Sequence, residues 1–316
     1  MTRRRTLLAA TAAMTLSSGA VAQSRPIRLI VPFPPGGTAD LLARLTAREM
    51  EAALAQSIVV ENRPGAGAVL GSDVVAKSAP DGTTLLLSNI ASQGIAPAVL
   101  ASMPYDTLRD FTHIALIAAV PSGVVVSATS PYATLRALLD AARARPGGIR
   151  FGSNGNGTSS HVKLEMLKRV AGVDITHVSY RGAAPAVTDI LAGHIEGLIA
   201  AVPDVGRNER LRMLAVTTAE RLARWPDVPS IRELGFPTLV ASNWFGVSGP
   251  AGIAPDIADR LNAAITGALA APALAERLAD AGTAPNRLTR AEFTALIAAD
   301  IARWGEIVRA ANIRAD

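Results

Sequence analysis

The chain has 316 residues, 49% of them hydrophobic and 4% aromatic, with no cysteine and with 31 Lys+Arg against 26 Asp+Glu. Without cysteine it has neither disulfides nor a cysteine-linked lipid anchor, so the fold must rest on ordinary apolar cores, and the length suits two domains. Basic residues are scattered among acids and aromatics are few, which excludes the basic, aromatic-laced stripe that nucleic-acid binding requires.

The first 22 residues read as an export signal. Arg3, Arg4 and Arg5 form a basic start, and Leu7 to Leu16 is an apolar stretch too short to span a bilayer. Ala20-Val21-Ala22 offers the small-x-small pattern of a cleavage site, which would make Gln23 the mature start. The run Thr2 to Leu8 fits a general signal and, loosely, a twin-arginine signal. Cleavage would remove three arginines and no acid, so 31 basic against 26 acidic residues becomes 28 against 26, close to neutral. No later apolar stretch reaches the ~18 residues of a membrane span, and the mature protein is expected not to be membrane-embedded.

Beyond the signal, short β-branched runs alternate with Ala/Leu-rich stretches of helical period. Strands are predicted at Ile27 to Phe33, Ser57 to Glu61, Thr83 to Ser88, Ile114 to Val120, Gly123 to Ser127, Ile149 to Asn154, Ile175 to Tyr180, Ile195 to Ala200 and Met213 to Thr217. Helices are predicted near Ala39 to Leu54, Ala68 to Ala79, Thr134 to Ala144, Ser159 to Ala171, Ala183 to Ala192, Ala273 to Ala281 and Thr289 to Ala311, the last two as cover. Strand–helix–strand repetition implies parallel sheets covered on both faces. Pro121-Ser122-Gly123 interrupts one long apolar strand and marks a crossing between lobes; a second crossing is expected near Asn243 to Gly246. The expected division is 23–122 with 244–316 as one lobe and 123–243 as the other.

Four strand ends carry the candidate chemistry. In Val31 to Asp40, two prolines stiffen a turn, Gly36 and Gly37 let backbone approach a ligand, and a helix follows with Thr38 placed as N-cap and Leu42, Leu45, Met50 and Ala53 on one face. A helix start presents unpaired N–H groups and a partial positive charge, hence an anion site. The segment reads equally as a tight turn without ligand, and Asp40 equally as a partner of the helix dipole. A second cradle runs from Gly152 through Asn154, Gly157, Thr158 and Ser159 to His161. A third is Val178 to Pro185, where Arg181 offers a charge-assisted bond to a carboxylate or a solvated strand end. The fourth, Leu87 to Ser92, adds Ser88, Asn89 and Ser92. One helix terminus contributes about 0.3–1 kcal/mol, or up to about 2 when partly buried; micromolar binding needs about 8 kcal/mol. Several cradles must therefore converge, and in open α/β sheets ligands sit beyond the carboxyl ends of strands, where all four segments fall.

Enzymatic patterns are missing. His113, His161, His177 and His194 show no metal-ligand spacing, no GxSxG elbow is present, and Ser159 and His161 are too close for a nucleophile–base pair on one helix face. Gly65-Ala66-Gly67 begins like a dinucleotide fingerprint, but Leu70 stands where the third glycine belongs and no acid ends the next strand. No cofactor or metal is expected.

Ile27-Arg28-Leu29-Ile30-Val31-Pro32-Phe33-Pro34-Pro35-Gly36-Gly37-Thr38-Ala39-Asp40, Val60 to Gly67, Ala79-Pro80-Asp81-Gly82, Pro104-Tyr105-Asp106, Gly155-Asn156-Gly157-Thr158, Tyr180 to Ala186 and Trp244-Phe245-Gly246 resemble the tripartite tricarboxylate transporter substrate-binding (Bug) family, in order and at family spacing. The resemblance implies a type II periplasmic-binding-protein fold, two α/β lobes joined by two crossing strands around a ligand cleft. It implies a periplasmic, non-enzymatic and monomeric protein that takes a small carboxylate and delivers it to a tripartite-tricarboxylate-type membrane permease. The segments matching the family's binding loops are Pro35 to Thr38 in one lobe, and Gly157, Thr158, Ser159 and His161 with Tyr180 to Ala183 (hence Arg181, Gly182 and Ala183) in the other; Phe33, beside the first loop, is a further candidate. One departure stands out: where the family commonly carries Asp, often followed by Asn, this chain has Ala200 and Ala201. A cleft without that carboxylate implies a ligand without an amine and with an apolar portion. The alternatives are a sensor whose closed form docks a signalling receptor and a secreted α/β enzyme, which would need an acid, base or nucleophile set.

Overall fold

The computed structural model describes residues 25–280, 282–285, 287–311 and 313–314. The export signal expected from the sequence, with its expected cleavage site, lies outside them.

Two sheets form. The first is built from β1 (Ile27–Val31), β2 (Ile58–Asn62), β3 (Thr84–Asn89) and β4 (Phe111–Val120). The chain then turns at Pro121 into the second sheet: β5 (Ser122–Ser127), β6 (Arg150–Ser153), β7 (Thr176–Ser179), β8 (Gly197–Ala201) and β9 (Leu211–Val216). It returns to the first with β10 (Asn243–Pro250) and a two-residue β11 (Ala284–Pro285). Strand orders are β11-β4-β10-β3-β1-β2 and β7-β6-β8-β5-β9. The result is a two-lobe α/β fold.

The helices are α1 (Thr38–Leu54), α2 (Val69–Ala76), the short α3 (Ala96–Val99), α4 (Leu135–Ala144), α5 (Ser159–Ala171), α6 (Ala183–Ala192), the four-residue α7 (Val202–Val205), α8 (Pro255–Ala270), α9 (Pro272–Asp280) and α10 (Arg290–Ala311). Three sequence expectations are corrected. The sheets are mixed: β2-β1-β3 and β7-β6-β8 are parallel, but β10 runs antiparallel to β3 and β4, and β5 antiparallel to β8 and β9. A strand that arrives from the other lobe enters without a covering helix, so nothing forces it parallel. The α1 face is also displaced, because Leu42, Ala43, Thr46, Ala47 and Met50 are buried while Leu45 is half-buried and Ala53 exposed. Alanine and threonine on that stripe let α8 pack closely. Finally, α10 is more than cover. Phe293, Ile297, Trp304 and Val308 join one core with Leu116 of the first sheet and Val124, Phe151 and Ile199 of the second, so the last helix ties the lobes together.

Candidate functional site

A cavity of about 380 Å³ lies between the lobes, lined by residues 33–39, 89–91, 158–160 and 181–185 with Leu41, Asn154, Ala201, Pro203, Asp204, Asn243 and Phe245. Most of the lining comes from strand ends, the turns after them and the first turns of the helices that follow. Parallel strands of each lobe therefore aim the starts of α1, α5 and α6 at one volume. Each of these helices begins without a side-chain cap from its own N-cap residue, leaving N–H groups for an external acceptor.

The α1 cradle differs from the sequence reading. Gly37, with φ −91° and ψ −179°, is the N-cap, and Thr38 is the first helical residue. Its cap comes from the other lobe: Asp204 Oδ1, on α7, accepts from Thr38 N at 2.8 Å and from Thr38 Oγ1 at 2.6 Å. Burial pushes the Asp204 pKa up, against the lowering effect of the Thr38 bonds. Asp40 faces away from the cavity and braces the loop, accepting from Gly36 N at 3.1 Å, Arg44 Nε at 3.0 Å and Asn62 Nδ2 at 3.0 Å. Burial alone would raise its pKa, but these bonds outweigh it and hold the carboxylate below the usual range.

In the second lobe, Thr158 Oγ1 donates to Gly155 O at 2.7 Å, and Ser160 Oγ accepts from Asn154 N at 2.9 Å. The Ser159 hydroxyl donates to Asn243 Oδ1. Asn154 Oδ1 is buried without a partner. The exposed Arg181 guanidinium makes no hydrogen bond or ion pair with the described residues, so its donors face the cleft unengaged. Gly182, at φ +104°, caps α6 and approaches Pro34 of the opposite lobe, where an added Cβ would lie 3.8 Å from Pro34 Cγ. Phe33 and Phe245 meet edge to face at 6.3 Å and form an apolar wall.

Of the residues predicted from sequence, Phe33, Pro35, Gly36, Gly37, Thr38, Asn89, Asn154, Thr158, Ser159, Arg181, Gly182 and Ala183 line this cavity. Gly157 lines a second interlobe cavity of about 610 Å³, which shares Phe33, Pro34, Asn154, Thr158, Arg181 and Gly182 with the first. Five others lie off both cavities. Besides Asp40, Ser88 is buried within β3 opposite Gly246, and Ser92 accepts from Asn89 Nδ2 at 3.1 Å behind the wall. His161 accepts from Gly157 N and stacks on His177 at 4.2 Å, where burial lowers its pKa. Ala200 is wholly buried in β8, paired with Gly123.

Sequence reasoning missed Asp204 and Asn243. The expectation that the cleft lacks a carboxylate is overturned: Ala201 lines the cavity, and Asp204, three residues on, supplies the acid. The available signal was Val202-Pro203-Asp204, an acid in the first turn of a helix directly after a strand. The stretch Gly65 to Ala68, with φ of 141°, 47°, 60° and 81°, is a left-handed turn in the second cavity. Among the described residues no cluster of three His, Cys, Asp or Glu could hold a metal, and no helix is long and apolar enough to cross a membrane.

Two α/β lobes with helix starts converging on an interlobe cavity define a solute-binding protein. The chain belongs to the tripartite tricarboxylate transporter receptor family, whose pattern, described as "Tripartite tricarboxylate transporter family receptor", matches residues 42–313. It is 39% identical over 290 residues to protein BugT of Bordetella pertussis (strain Tohama I), covering 90% of this chain and 89% of BugT. Among solved structures, R. palustris Rpa4515 with adipate superposes with a TM-score of 0.88 at 32% identity, over 92% of this chain and 98% of that one. The periplasmic binding protein BugD superposes with a TM-score of 0.87 at 27% identity, over 92% and 98%. The family is one of periplasmic solute-binding proteins.

Proposed function

We propose that this chain is a non-enzymatic periplasmic receptor that captures a small carboxylate between its lobes and, as a monomer, delivers it to a membrane permease of the tripartite tricarboxylate type. The observation that carries this reading is the convergence of three helix N-termini and an unengaged arginine on one interlobe cavity. The moving bodies are 23–122 with 244–316, and 123–243, after a signal cleaved behind Ala22. The ligand docks first on the Gly36-Gly37 loop; Thr158, Ser159 and Arg181 then hold the closed state by their differential affinity for it. The Phe33–Phe245 wall and Ile90 suit a ligand with an apolar portion. Adipate in the related Rpa4515 fits that chemistry. Because Asp204 stands in the cleft, Ala200 and Ala201 do not exclude a ligand with an amine.

A thermal-shift screen against mono-, di- and tricarboxylates, aromatic acids and amino acids tests the reading. A ligand at one hundred times its Kd adds about 2.7 kcal/mol, which raises the midpoint by roughly 2–4 °C per kcal/mol in a protein of this size. A shift confined to a few related acids is expected. No shift with any acid from well-folded protein overturns the proposal.

Asp204 gives a second expectation. An ionised Asp204 about 6 Å from a bound carboxylate would repel it by about 3 kcal/mol at an effective dielectric of ~20, less after screening. Asp204→Asn keeps an acceptor for Thr38 and removes the charge. Acid affinity measured by isothermal titration should rise about tenfold; a weaker affinity would show that the carboxylate helps hold the ligand, and an unchanged one that Asp204 carries no charge in the complex.

A further inference from the structure

Lys163 on α5 is 2% exposed, yet among the described residues no carboxylate pairs with it. Its Nζ donates to Ser122 Oγ at 2.8 Å and to Asn243 Oδ1 at 3.1 Å. Ser122 is the first residue of β5, just past the outward crossing, and Asn243 is the first residue of β10 on the return. One buried amine thus grips both connections between the lobes from a helix whose N-terminal residues line the ligand cavity. Asn243 also lines it, and its Oδ1 additionally takes the Ser159 hydroxyl.

A buried ammonium without a counter-charge is costly. The charged group acting on it is Arg303 of α10, which repels it; Asp300 on the same helix is engaged by Trp244 Nε1 at 2.7 Å. On its own helix, Glu165 pairs with Lys168, and His161 faces Gly157 N and His177. β5 and β10 offer it only the neutral Ser122 and Asn243.

We propose that Lys163 is the electrostatic positioning residue of the site: a cation held at the hinge whose counter-charge is the carboxylate of the captured ligand, acting through Asn243 and Ser159. The inference rests on the carboxylate reading above and adds a residue and a coupling to it. Burial, reinforced by Arg303, lowers the Lys163 pKa to about 7. The unfolded chain holds this proton up to about pH 10.4, so the folded, ligand-free protein gains stability as pH rises above 7 and loses it as pH falls through 7. An arriving carboxylate favours the charged form, so capture takes up protons at neutral and mildly alkaline pH, more of them as pH rises from 7 to 8.

The experiment is isothermal titration of the purified protein with adipate and with malate at pH 7 and pH 8, in phosphate and in Tris, whose different ionisation heats report the protons exchanged. Lys163→Met, of similar length and without charge, should bind these acids about tenfold or more weakly and take up fewer protons than the parent. Asn243→Asp builds a counter-charge into the protein; it should also reduce proton uptake and weaken binding, and it serves if the methionine variant does not fold. A purely structural hinge pin would change stability in these variants and leave proton uptake as in the parent, which overturns the inference while the carboxylate reading stands. Binding of none of the screened acids by the parent protein overturns both.

Discussion

Gly36→Leu is expected to reduce acid binding at least about a hundredfold in a protein that still folds. Gly36 lines the interlobe cavity, its φ is +87°, and a Cβ built there meets no atom within 4 Å. The side chain would occupy open cavity, so the folded state is not overpacked. The remaining cost is backbone strain of about 1–2 kcal/mol for a residue with a Cβ at positive φ, within the margin of an ordinary domain. Gly36→Ala isolates that strain, since it shares the φ penalty and adds a single methyl. Titration of both variants beside their unfolding curves separates the effects. Parent-like affinity in the leucine variant would remove this loop from the site.

The largest loss of stability from a single added methyl is expected at Gly197. This glycine of β8 pairs with Phe151 of β6 in parallel register, and the aromatic ring lies across it. A Cβ at 197 would stand 2.0 Å from Phe151 Cε2 and 2.8 Å from the carbonyl oxygen of Val125. Phe151 is fully buried among Val124, Leu139 and Ile199, so its ring has nowhere to retreat, and the carbonyl belongs to a strand between two others. Gly197→Ala should cost about 3 kcal/mol, at the upper end of ordinary overpacking. It should appear in urea as a lower midpoint at unchanged slope. A loss below about 1 kcal/mol would mean the second sheet accommodates the methyl by sliding β6 against β8.

The parts of this architecture visible in sequence were those governed by local pattern. Alternation of β-branched runs with helical stretches marks the parallel strands and their covering helices, and Pro-Gly-rich strand ends mark the helix starts that converge on the cavity. The orientation of β5 and β10 is set by partners far along the chain and leaves no local trace. Strand β10 was visible only as a crossing near Asn243, because Gly246, Gly249 and Pro250 lower its strand propensity. Packing requires glycine at 246, where a Cβ would fall 2.4 Å from Phe293 Cζ. Asp204 was overlooked because the expected acid position was the strand end itself, at Ala200. The carboxylate instead comes from the next turn and from the opposite side of the cleft to its partner Thr38. Asp40 illustrates the reverse: a charge beside a glycine loop proved to be its brace.

The interleaving of β10 has a consequence for the order in which the molecule assembles. In the first sheet β3 and β4 do not touch; each pairs with β10, so that Val120 meets Asn243 and Ser88 meets Gly246. A chain growing from its N-terminus can complete the second sheet from one continuous stretch ending at β9 while β3 and β4 still present open edges. Those edges stay unpaired until residue 250 has been made, and such edges are templates for misassociation. The first sheet, although most of its strands are made early, is therefore the late-finishing part, and a truncation before β10 should yield aggregate.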